Sequence, residues 1–271
     1  SASRKARPAM PDTLLIARHA GVSHVTLNRP ESRNAMSLAM VDELIAALRA
    51  AEEAGDRAIV LRGAGGHFCS GGDIKDMGAA QNAETVAGVD PIAKVNARFG
   101  ELCAAYAATG LPVVAVVEGA VMGGGFGLAC VADLVIAGET AVFRLPETGL
   151  GLVPAQIAPF LVERLGFSEA KRLAVTGGKI EAGEAAKLRL VNEVQSTDNL
   201  DAALEAALAQ IRKGAPDAIA QTKALIRRAR LEEPASLVDD AAAIFAEAAR
   251  GPEGAEGMAA FLEKRPAKWV G

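Results

Sequence analysis

The sequence predicts an α/β chain in which a layer of strands and helices is followed by a helical segment. Short apolar runs separated by glycine turns fill the first two-thirds, whereas residues 200–264 read as nearly continuous helix. With 271 residues, 51% of them hydrophobic, the chain has ample apolar volume for a core and is too apolar to be disordered. No internal repeat and no Ser/Gly/Pro linker divides it, and the nearest break is around Thr197–Asn199. The expected organisation is a core over residues 11–197, which holds the active site, and a helical region over residues 198–271. A tail is expected over residues 1–10, where Arg4, Lys5 and Arg7 precede no apolar segment of a secretory signal.

The elements follow in order. Val22–Leu27 alternates partly, as a half-buried strand does. Ser37 is placed to cap a helix from Leu38 to about Glu53, with Gly55 beyond its end. Met40, Leu44, Ala47 and Leu48 fall on one face of that helix. Ala58–Arg62 reads as a buried strand, followed by a loop over Gly63–Gly72. Val113–Ala137 is long and apolar, but Glu118, Asp133 and five glycines argue against lipid. It reads as strand (Val113–Val117), turn, buried helix and strand (Leu134–Ala137). The last third predicts helices at Leu200–Arg212, Ala215–Ala229, Ala235–Ala249 and Glu253–Lys264. Pro216 suits a helix start, and Gly251-Pro252 separates two helices.

Composition excludes several functions. The net charge of −4 offers no basic field for nucleic acid. Arg227, Arg228 and Arg230 read as one solvated helix face. Cys69, Cys103 and Cys130 are odd in number and widely spaced, which argues for a reducing, cytoplasmic setting and against a disulfide scaffold. His19, His24 and His67 have no metal-ligand spacing, so no structural metal is expected.

Two glycine clusters carry the chemistry. One runs from Gly63 through Gly71, Gly72, Asp73, Ile74 and Lys75; the other runs from Gly119 through Gly123, Gly124, Gly125 and Gly127. Each follows a buried strand and precedes a helix, where glycine lets backbone N–H groups approach a ligand. Two such turns can aim two N–H groups at one developing oxyanion. Tight packing of strand on helix is the competing reading of either cluster alone. Neither completes a dinucleotide or P-loop fingerprint, and Ser70 lacks the glycine of a nucleophile elbow. A third segment, Phe143 to Pro154, carries one acid, Glu147, among apolar neighbours that would raise its pKa toward useful acid–base values.

These segments, taken in order, resemble the crotonase (enoyl-CoA hydratase/isomerase) superfamily over nearly the whole chain. The supporting pieces include Val25–Pro30, Arg33–Met36, Phe68–Lys75, Gly119–Gly125, Ala132–Leu134, Leu145–Glu147, Ala170–Gly177, Ala185–Val191 and Gly257–Phe261. The resemblance implies a ββα spiral core, a C-terminal helical trimerisation region, and acyl-CoA thioester substrates. It further implies a homotrimer or dimer of trimers, with no membrane or nucleic-acid partner and no cofactor beyond the substrate's own CoA. It places oxyanion-hole N–H groups on Gly72 and Gly124 and the catalytic carboxylate on Glu147. It assigns CoA binding to Arg33, Ala35, Gly72, Asp73, Ile74, Lys75 and Gly124, with Phe261 and Lys264 closing the CoA site of a neighbouring subunit.

Well-known hydratases of the family carry two glutamates, and this chain has Gly127 where the first belongs. Glu118 and Asp73 are expected to serve turn structure instead. The run Leu145–Phe160, with Pro154-Ala155-Gln156-Ile157-Ala158-Pro159, resembles the bacterial branch acting on glutaconyl-CoA derivatives, closest to the isohexenylglutaconyl-CoA and 3-methylglutaconyl-CoA hydratases. The expected reaction is hydration of a 2-enoyl-CoA. The alternatives are Δ3,Δ2-enoyl-CoA isomerisation by Glu147 alone, or a non-catalytic acyl-CoA-binding subunit. Arg144 is a candidate clamp for a distal substrate carboxylate, weighed against an outward ion pair.

Overall fold

A computed structural model describes residues 13–85 and 88–270. The tail expected over residues 1–10 lies outside the described residues. The described residues begin with β1 (Leu14–His19), β2 (Val22–Leu27), α1 (Leu38–Glu53) and β3 (Ala58–Gly63). It continues through α2 (Ile74–Gln81), α3 (Pro91–Ala108), β4 (Val113–Val117), β5 (Ala120–Met122), α4 (Gly124–Cys130) and β6 (Leu134–Gly138). Next come β7 (Val142–Arg144), α5 (Ala158–Leu165), α6 (Phe167–Thr176), β8 (Lys179–Glu181), α7 (Ala182–Lys187) and β9 (Glu193–Gln195). Four helices finish it: α8 (Leu200–Ile211), α9 (Pro216–Ala229), α10 (Val238–Arg250) and α11 (Pro252–Leu262).

The main sheet has the order β1-β2-β3-β4-β6-β9, and only the β1–β2 pair is antiparallel. Both faces of its central strands are covered, so they read as unbroken apolar runs. Ile59, Leu61, Val113, Ala115, Val117, Val135 and Ala137 face the larger core. The alternate residues Ala58, Val60, Val114, Val116 and Ile136 face a second cluster, closed by Leu200, Leu204 and Leu208 of α8. Thus α8, just past the expected break at Thr197–Asn199, packs onto the sheet.

After each long strand the chain makes a second, shorter pairing before its helix. β5 pairs with β7, and β7 pairs with β8. Isolated bridges join Met36 to Gly72 and Cys69 to Val121. Strand, short strand and helix therefore recur in successive turns, which is the ββα spiral. The Ser37 cap is observed: its Oγ accepts the Met40 N–H at 3.2 Å, and α1 spans the expected residues.

Two expectations are corrected and one helix is added. The Val113–Ala137 segment contains an additional strand, β5, between turn and helix. Helix α3, capped by Asp90, was not assigned from the sequence. The helix expected at Ala235 starts at Val238, because Pro234–Leu237 forms a 3-10 turn.

Candidate active site

The two glycine turns meet because of strand register. Cys69 pairs with Val121, and three residues past each come Gly72 and Gly124. Just before each, the chain reverses at a glycine with positive φ, +106° at Gly71 and +51° at Gly123, where a side chain would be strained. A Cβ on Gly71 would stand 3.3 Å from the Met122 carbonyl, and one on Gly125 would stand 2.6 Å from the Cys69 Cβ. Close packing and donor presentation are thus one device. Neither the Gly72 nor the Gly124 N–H has an acceptor among the described hydrogen bonds, whereas Asp73 N–H donates to the Met36 carbonyl and Gly123 N–H to that of Arg144.

Both glycines line a cavity of about 580 Å³, together with Asp73, Ile74 and Glu147. Its walls are largely apolar, among them Met36, Val41, Met77, Phe99, Val153 and Ile157. That is the size and character of a small-molecule site. Glu147 opens a 3-10 turn, Glu147–Leu150, beyond β7. Its Oε1 would stand 3.0 Å from a Cβ on Gly123, and its buried Oε2 has no hydrogen-bond partner. Burial pushes the Glu147 carboxyl above the ordinary glutamate value, partly offset by a hydrogen bond from its own backbone N–H.

The other acids of the cavity are engaged in structure. Burial opposes ionisation of Asp73, but the Arg29 guanidinium at 2.8 Å, together with the backbone N–H and charge of Lys75, outweighs it and holds the carboxyl below its ordinary value. Asp73 also caps α2 through the Lys75 N–H. Asp76 accepts the Leu38 N–H, and Asp90 caps α3. Glu118 is absent from the cavity lining. His67 Nδ1 accepts the Ala120 N–H at 3.0 Å and so ties two loops together.

Of the remaining sequence candidates, none lines the cavity. Arg33 and Ala35 lie behind the first glycine turn: the Ser70 N–H donates to the Arg33 carbonyl, and Arg29 donates to that of Ala35. The Lys75 side chain is exposed, as are Phe261 (83%) and Lys264 near the chain's end. Arg144 is a correction. Its exposed side chain donates to the Gly177 carbonyl at 2.8 Å, so it is neither a cavity clamp nor a carboxylate pair.

Gly127 has a structural partner that the sequence did not reveal. A Cβ there would collide with Ile157, whose own Cβ would be 2.8 Å away. Ile157 is 2% exposed, so an apolar branch fills the place where a second carboxylate would start. Sequence reasoning also missed Asn34, which is fully buried. Its Oδ1 accepts the Arg29 N–H, and its Nδ2 donates to the Ala64 and His67 carbonyls, fixing the first glycine loop. Asn96 and Gln156 are cavity residues too. Gly100, within a helical pattern, was the available signal for them.

Comparison with known proteins gives the family and the fold. The family model for enoyl-CoA hydratase/isomerase matches residues 17–271. A probable enoyl-CoA hydratase of Rhodobacter capsulatus is 38% identical over 256 residues, covering 93% of this chain and 95% of that protein. The crystal structure of an enoyl-CoA hydratase/isomerase from Marinobacter aquaeolei superposes with a TM-score of 0.92 at 52% identity, covering 96% of this chain and 99% of that one. Pseudomonas aeruginosa AtuE gives 0.91 at 51% identity, covering 96% and 100%. The chain belongs to the enoyl-CoA hydratase/isomerase family and has the crotonase fold. Within it, this is an enzyme of the enoyl-CoA hydratase type.

Proposed function

We propose that this enzyme adds water across the 2,3 double bond of a 2-enoyl-CoA, with Glu147 as its sole acid–base group. The observation that carries the reading is a desolvated carboxylate oxygen without a partner, in the same cavity as two unpaired backbone N–H groups. The Gly72 and Gly124 N–H groups hold the thioester oxygen as it gains enolate charge. Glu147 takes a proton from water as the oxygen bonds to C3, then delivers a proton to C2. No metal or organic cofactor enters this scheme. The acyl group is a branched glutaconyl derivative of the isohexenylglutaconyl or 3-methylglutaconyl type, supported by the Leu145–Phe160 run that shapes the cavity wall. The assembly is a homotrimer or dimer of trimers, supported by the apolar side chains exposed on α10 and α11, in which Phe261 and Lys264 serve a neighbour's CoA site.

The filled position at Gly127 favours one second reading, Δ3,Δ2-enoyl-CoA isomerisation, in which one carboxylate moves a proton between C4 and C2. Turnover in H₂¹⁸O separates the two. Hydration places ¹⁸O in a 3-hydroxyacyl product; an isomerised enoyl product without ¹⁸O rejects it.

A further inference from the structure

Gln156 and Asn96 form a polar pair within the largely apolar lining. Gln156 Nε2 donates to Asn96 Oδ1 at 2.8 Å, and both residues line the cavity. The bond is solvent-exposed, as is Asn96, whose Nδ2 has no protein acceptor among the described hydrogen bonds, so the pair's remaining N–H donors are open to a ligand that displaces water. Helix α3 is shaped to receive it. A Cβ on Gly100 would collide with the Gln156 amide and stand 2.7 Å from its Cδ. Glycine is a poor helix former in the middle of an eighteen-residue helix, so the fit of Gln156 is the local reason for it.

The charge of the cavity makes these donors informative. Among the described residues its lining includes four carboxylates, on Asp73, Asp76, Asp90 and Glu147, and no Lys, Arg or His. Such a site rejects an anionic branch on the acyl chain unless neutral donors meet it. Arg144, the one cation considered for that task, points to Gly177 instead.

We infer that the Asn96–Gln156 pair is the specificity determinant for a carboxylate on the acyl chain, recognised by amide N–H groups rather than by a salt bridge. The inference rests on the hydration reading above and extends it to this wall. Donors placed for a polar substituent discriminate strongly against the analogue that lacks it.

The test compares 3-methylglutaconyl-CoA with 3-methylcrotonyl-CoA, which differ only by the carboxylate. Gln156→Glu keeps the shape and adds a negative charge; Gly100→Ala expels the amide while leaving Gln156 in the sequence. Both are expected to lower the ratio of kcat/KM, glutaconyl over crotonyl, by about tenfold or more. Gly100→Ala does so with thermal stability maintained or raised, which a purely structural role for the pair does not predict. A wild-type enzyme that hydrates both thioesters, with variants whose ratio is unmoved because both rates fall equally or not at all, overturns this inference alone. A wild-type enzyme that hydrates neither of these nor isohexenylglutaconyl-CoA overturns the hydration reading and this inference with it.

Discussion

Glu147 is where sequence and structure agree most simply, because a Pro-Glu loop with apolar neighbours already announces a desolvated acid. Its raised pKa has two consequences. In its proposed role as the base that activates water it must be ionised, so kcat is expected to fall as pH drops through a value above the ordinary glutamate pKa; a pH–rate profile locates that acid limb. Raised folded-state affinity for the proton also means that the ionised form destabilises the fold at neutral pH. Glu147→Gln is therefore expected to melt higher than wild type at pH 7, with the gap closing on acidification toward the unfolded value. Thermal scans across pH check the sign. Gly127 was legible only as an absence. What fills its place, Ile157, is thirty residues away and meets it through folding alone. Gly127→Glu consequently restores no second carboxylate. It overpacks the site at a cost of about 1–3 kcal/mol by urea unfolding, and Ile157→Gly in the same chain relieves it.

Among the elements, the long parallel strands and α1 were readable because burial on both faces, or on one stripe, leaves a pattern several residues long. The three-residue strands β5, β7 and β8 leave none, and their positions come from pairing with one another. The glycine turns were readable as turns, but not why they converge. That depends on the Cys69–Val121 register, a tertiary fact. Asn34, itself fully buried, holds the first of these turns by side-chain bonds to the part-buried Ala64 and His67 carbonyls. Asn34→Leu leaves them unpaired and is expected to cost about 1–3 kcal/mol in chemical denaturation; a loss under about 0.5 kcal/mol contradicts the role given to it.

At the scale of the whole molecule, the spiral repeats a strand–strand–helix unit with no repeat visible in the sequence. Each turn shares geometry with the next rather than side chains. The C-terminal helices are the converse case, legible as helices but not as a finished surface. Helices α9 and α10 bury no residue fully, and Phe245 (76%) and Phe261 (83%) stand exposed. Patches of this kind mark interfaces. Light scattering is expected to give three or six times the chain mass, and Phe245→Glu to lower it; a wild-type monomer contradicts this. The proposed function asks one pair of donors and one carboxylate to make a complete site. Steady-state hydration of a 2-enoyl-CoA by Glu147→Gln tests that most directly: the account predicts a kcat lower by several orders of magnitude with KM little changed, and near-normal turnover by the variant would contradict it.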